Sequence, residues 1–113
     1  MGEDPGEEVS YTTRPQVDLD LIDGREWIAR DNPAAADAFI DAARETFERL
    51  SQFPEFGPLA RFRNSELADV RFTLVSPPFQ RWLVFYRVTG GSVDIGRVIY
   101  GARNWREEPE RFF

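Results

Sequence analysis

From Pro33 to Gln52 apolar residues recur every three or four positions: Ala36, Ile40, Ala43, Phe47 and Leu50 form one stripe, flanked by Phe39. The acids Asp37, Asp41, Glu45 and Glu48 lie elsewhere on the cylinder, so the spacing predicts a long amphipathic helix. Asp31-Asn32-Pro33 starts it, because Asp or Asn caps a helix and Pro suits its first turn. PEFGP, two prolines around a glycine, ends it. An earlier helix is predicted from Pro15 to Ala29, with Thr13 and Gln16 at capping-box spacing and Pro15 in the first turn. Val17, Leu21 and Ile28 share one face with Trp27 at its edge, and Gly24 weakens the helix.

The pattern shifts to a period of two around these helices. Val9 to Thr13 reads as a short first strand. After a linker carrying Arg61 and Arg63, three strand-like runs follow: Leu67 to Val75, Gln80 to Val88, and Val93 to Tyr100. In the first of them Val70, Phe72 and Leu74 are expected on one face. Ser76-Pro77-Pro78 separates the first pair of runs, and Gly90-Gly91 marks a two-residue hairpin in the second. The order is β, α, α, β, β, β, an α+β fold in which two antiparallel helices form a hairpin.

Composition narrows the picture. The 113 residues suit one domain, read as residues 9–113 behind an acidic tail of residues 1–8 expected to be disordered. WREEPERFF, residues 105–113, closes the chain with the aromatic pair Phe112 and Phe113. No apolar run is long enough to cross a bilayer, and the acidic start does not look like a secretion signal, which predicts a cytoplasmic protein with no membrane partner. There is no Cys and no His, which leaves carboxylates as the side-chain metal ligands and makes zinc and iron sites poor expectations. The acids on the second helix have the spacing of any solvated helix face, so no metal and no cofactor is expected.

All 14 cationic residues are Arg, each a planar fork suited to carboxylate, phosphate or aromatic partners. Four of the 20 acids lie in the first eight residues, so the rest of the chain carries 14 − 16 = −2. Such a body lacks the basic stripe that drives binding to nucleic acid, and no direct nucleic-acid contact is expected. Nucleotide-binding and nucleophile-elbow motifs are absent from the sequence, and Gly90-Gly91 reads as a turn. Acid–base chemistry on a phosphodiester would have to be assembled from Arg71, Arg81, Arg97 and Arg103 with Tyr86 and Tyr100. The plainer reading is that the tyrosines fill a sheet face and the arginines pair with acids at its rim.

Three segments carry a resemblance. RPQVDLDLIDGREWIARDNPAAADAFIDAARETFERL, LSQFPEFGPLAR and WLVFYRVTGGSVDIGRVIYGARNW together span almost everything from Tyr11 to Trp105. They are similar, in that order, to the two-helix opening, the connector and the last hairpin of the RelE/ParE superfamily of toxins from bacterial type II toxin–antitoxin systems. The details look more like the ParE branch. The resemblance implies a helical hairpin packed on a twisted antiparallel sheet, and a toxin that a co-expressed antitoxin neutralises. For ParE-type members it implies inhibition of DNA gyrase by binding; for RelE-type members, cleavage of mRNA on the ribosome. The mRNA-cleaving pattern has basic residues, often Lys, and a C-terminal Tyr or His. This chain has no Lys or His, has Leu83 about where a central-strand Arg would fall, and matches comfortably only at Arg103. Tyr100 stands where the family commonly has His, and Asn104 where it commonly has Asp. Tyrosine keeps a planar side chain with a hydrogen-bonding tip but carries no charge near neutral pH.

The expected role is therefore a non-enzymatic inhibitor, with an endoribonuclease and an inactive antitoxin-binding module as the alternatives. Arg97, Tyr100, Arg103, Trp105, Phe112 and Phe113 are the candidates for target contact, since a guanidinium beside aromatic rings is a typical hot-spot composition. Arg71, Arg81, Trp82 and Tyr86 are the candidates for antitoxin contact, by a partner bringing apolar side chains and acids.

Overall fold

The computed structural model describes residues 11–101. The expected tail of residues 1–8, the first two residues of the expected first strand, and the closing segment 105–113 lie outside the described residues. The elements are β1 (Tyr11–Thr13), α1 (Pro15–Ala29), α2 (Pro33–Gln52), a 3-10 turn (Ser65–Leu67), β2 (Arg71–Leu74), β3 (Trp82–Thr89) and β4 (Ser92–Tyr100). Both helices keep the predicted bounds. Asn32 caps α2 by accepting from the Ala35 amide at 3.1 Å, with Pro33 in the first turn. The capping box expected for α1 does not form: Arg14 holds the N-cap position without a side-chain cap bond, and Gln16 turns its amide toward Asp20. Arg14 instead pairs with Asp94 at 2.9 Å and donates its backbone amide to the Ile95 carbonyl.

The sheet runs β1-β4-β3-β2. Three strands are antiparallel neighbours, joined in the last hairpin by Gly90 and Gly91, which both take the positive φ that a tight turn demands. β1 departs from the antiparallel expectation. It lies parallel to β4, Tyr11 opposite Val93 and Thr13 opposite Ile95, an arrangement the intervening helices and strands make possible by carrying the chain across the sheet.

Both faces of the sheet are covered, which is why β3 reads as an unbroken apolar run. Trp82, Val84 and Tyr86 meet Val17, Phe39, Phe47 and Leu50 in the core under the helices. Leu83 and Phe85 face the other way, into a second cluster built by the connector residues Ala60, Phe62, Leu67 and Val70. Phe85 sits opposite Arg97 and Tyr86 opposite Ile95, so Gly96 is an extra residue, a bulge. It reverses the alternation of β4: Val93 and Ile95 reach the helix-side core before it, Val98 after it.

The connector is held at defined points. The Tyr86 hydroxyl donates to the Pro54 carbonyl at 2.8 Å and accepts from the Gly57 amide at 2.9 Å. Arg71 donates to the Gly57 carbonyl at 2.7 Å. A Cβ on Gly57 would lie 2.1 Å from the Phe72 carbonyl oxygen, so this close crossing requires glycine. Val70 and Phe72 pack on the outer cluster as expected, but Leu74 is exposed and Thr73 is buried. At the end of α2, the Thr46 hydroxyl accepts from the Ser76 amide at 3.0 Å and Arg49 donates to the Ser76 hydroxyl at 2.8 Å, tying the helix to the loop before β3.

Candidate functional site

The candidates separate according to what the sheet does with their positions. Tyr86 is fully buried and its hydroxyl is spent on the connector. Burial raises its pKa above the ordinary tyrosine value, with the Gly57 amide and Arg71 pulling the other way. Trp82 is also core, its ring 4.7 Å from that of Phe39 and in contact range of Gly24. Both residues, expected to meet an antitoxin, thus lie in the core, because positions 82, 84 and 86 of β3 point under the helices. Arg71 is half-buried and bound to the Gly57 carbonyl.

Arg97, expected at a target contact, is drawn into the protein. Its guanidinium donates to Asp20 of α1 through Nε at 2.9 Å and Nη2 at 3.0 Å. Asp20 is 7% exposed, and it also accepts from the Val98 amide at 2.9 Å and from Gln16 at 3.1 Å. Sequence reasoning missed Asp20. Its signal was available: it lies on the same side of α1 as Val17, Leu21, Gly24 and Ile28, an acid inside an apolar stripe.

What stays at the surface is the end of β4. Tyr100 is 45% exposed and packs edge-to-face on Trp82, ring centroids 5.0 Å apart. Gly101 follows with a φ of 82° and donates its amide to the Arg81 carbonyl at 2.7 Å, which pins the strand end. Leu74, Gln80, Arg81, Leu83, Tyr100 and Gly101 line an open groove of about 450 Å³. Thus one residue expected to meet the target, Tyr100, and one expected to meet the antitoxin, Arg81, share a single mostly apolar groove. Arg103, Trp105, Phe112 and Phe113 lie outside the described residues. Among the described residues no group of His, Cys, Asp or Glu is arranged to hold a metal ion.

Residues 11–105 match the family described as the ParE toxin of the type II toxin–antitoxin system parDE. The chain belongs to that family. It is a toxin of a type II toxin–antitoxin system, and membership implies an antitoxin partner. A curated relative, Toxin RelE2 of Caulobacter vibrioides, is 31% identical over 96 residues, covering 85% of this chain and 97% of the relative. The fold is shared with a solved chain described as the chromosomal ParDE system from P. aeruginosa, at a TM-score of 0.66 and 20% identity, over 83% of this chain and 97% of that one. The ParE toxin thus has the βααβββ order and hairpin-on-sheet packing that the three quoted segments implied. No helix among the described residues is long and apolar enough to cross a membrane.

Proposed function

We propose that this ParE toxin acts in the cytoplasm by binding DNA gyrase, without chemistry of its own and without direct contact to nucleic acid, and that a cognate antitoxin neutralises it. The observation that carries the reading is the dispersal of the groups a phosphodiesterase would have to assemble. Arg97 is engaged by Asp20, Arg71 by the Gly57 carbonyl, and Tyr86 by the connector, leaving Arg81 and Tyr100 at an open groove. One guanidinium and one phenol ring beside Leu74 and Leu83 suit a grip on a protein surface better than acid–base work. Arg103, Trp105, Phe112 and Phe113 are further candidates for target contact. Arg81 is the residue of the expected antitoxin set that retains an exposed surface, so an acidic antitoxin side chain is assigned to it.

Pulse-labelling of DNA and protein synthesis within minutes of inducing the chain without antitoxin tests this. Early loss of DNA synthesis is expected. Early loss of protein synthesis would overturn the reading in favour of mRNA cleavage.

A further inference from the structure

The outer edge of β4 is held in two different ways along its length. Up to Ile95 it pairs with β1, and the Arg14 amide closes that pairing on the Ile95 carbonyl. Gly96 then bulges, and β1 has no register with any residue beyond Ile95. From there on β4 pairs with β3 on one side only, and its outer edge, which leads to Tyr100, carries no strand partner among the described residues. Asp20 takes over: its Oδ2 accepts from the Val98 amide and from Arg97 Nε, and its Oδ1 accepts from Arg97 Nη2 and Gln16 Nε2. Both carboxylate oxygens are fully used, so the carboxylate has one position relative to the strand.

A buried ion pair is a weak device for stability, since well-packed apolar residues of similar volume often do as well. What an apolar pair cannot do is accept the Val98 amide and fix the strand two residues before Tyr100. We propose that Asp20, with Arg97, is a positioning residue for target contact: it sets the end of β4 so that Tyr100 is presented to the target. This rests on the reading of Tyr100 as a target contact given above.

The test is growth inhibition on graded induction of the full chain, read as the inducer level that halves growth, for wild type, Tyr100→Ala, Asp20→Asn and the double variant. Folding is followed by circular dichroism, and the Val98 and Tyr100 amides by hydrogen exchange. Each single variant is expected to raise the required inducer at least about tenfold while remaining folded, with faster exchange at Val98 in Asp20→Asn. The double variant is expected to lose no more than the worse single one, because the two residues act on one contact. Where Asp20→Asn does not fold, Asp20→Leu with Arg97→Leu replaces the pair by apolar side chains and is expected to fold and to have lost toxicity. Undiminished toxicity in a folded Asp20 variant, losses that multiply in the double variant, or failure of both Asp20 replacements to fold would overturn the positioning role alone. A wild-type chain that does not inhibit growth would instead overturn the reading beneath it, and the proposal with it.

Discussion

The two helices of the hairpin are built on opposite rules. α2 buries what its pattern says it should: Ala36, Phe39, Ala43, Phe47 and Leu50 are core, and its acids face outward. α1 buries Val17 together with an aspartate and a glycine, and turns Leu19, Ile22 and Trp27 outward at 54%, 51% and 59% exposure. Trp27 meets no core there; the Arg30 guanidinium lies 5.3 Å from its ring centroid. α2 is therefore attached mainly by apolar area, whereas α1 adds to Val17, Leu21 and Ile28 one carboxylate set against the edge of β4 and a close approach at Gly24. The helix that breaks the simple pattern is the one whose carboxylate holds the outer edge of the strand carrying the candidate site. Departures from local consistency gather where a structure serves a purpose other than stability.

The largest effects should come from attacking each attachment in its own terms. Phe47→Ala in α2 opens a core cavity and is expected to cost about 3–5 kcal/mol. Asp20→Ala in α1 leaves the half-buried Arg97 and the Val98 amide without their carboxylate and is expected to cost about 2–4 kcal/mol. Denaturant unfolding checks both, and the contrast breaks if Asp20→Ala is as mild as a change at the exposed Asp18 of the same helix.

Gly24→Ala should come next. A Cβ there would lie 2.8 Å from the Trp82 ring and 2.9 Å from that of Phe39, two aromatic side chains already packed on each other. Overpacking of this kind costs about 1–3 kcal/mol, and it is expected to outweigh the roughly 1 kcal/mol that alanine gains over glycine in a helix interior. A lowered midpoint of thermal unfolding is the expected result; a raised one would mean that α1 can ride away from the sheet.

High pH should discriminate between the two attachments more gently. Burial raises the pKa of Tyr11, which packs on Phe47 of α2, with Glu48 adding to the rise. Burial does the same for Tyr86, which holds the connector after α2. A group whose folded pKa is raised contributes stability that is complete below its unfolded pKa, ordinarily 10.0, and is lost as pH climbs through the folded value. Stability should therefore decline above about pH 10, and Tyr86→Phe, though less stable throughout for want of its two hydrogen bonds, should show a shallower decline. The smallest effects belong to the outward face of α1: Leu19→Ser and Ile22→Ser should each stay within about 0.5 kcal/mol of wild type. A larger loss in either would show that this face is covered in the folded chain.

Much of the fold was legible because local chemistry and global packing agree in α2 and in the last hairpin. Pro33 restricts the backbone to a helix start behind the Asn32 cap, whereas Gly90-Gly91 accepts the positive φ that other residues avoid, and both elements fall where those residues put them. The site was less legible. β3 is apolar on both faces, so alternation pairs Trp82 with Tyr86 and Leu83 with Phe85 without saying which pair lies under the helices. Arg97 looks like any rim arginine until α1 is known to lie against β4. The parallel placement of β1 depends on how the chain crosses the sheet, which no local signal in three residues encodes.

The central claim is that Tyr100 at the end of β4 takes part in a binding contact with gyrase. Supercoiling of relaxed plasmid by purified gyrase in the presence of the full chain tests it most directly. Inhibition by wild type, relieved at least about tenfold by Tyr100→Ala and restored to none by the cognate antitoxin, is the expected result. Undisturbed supercoiling alongside cleavage of ribosome-bound mRNA by the same preparation would contradict it.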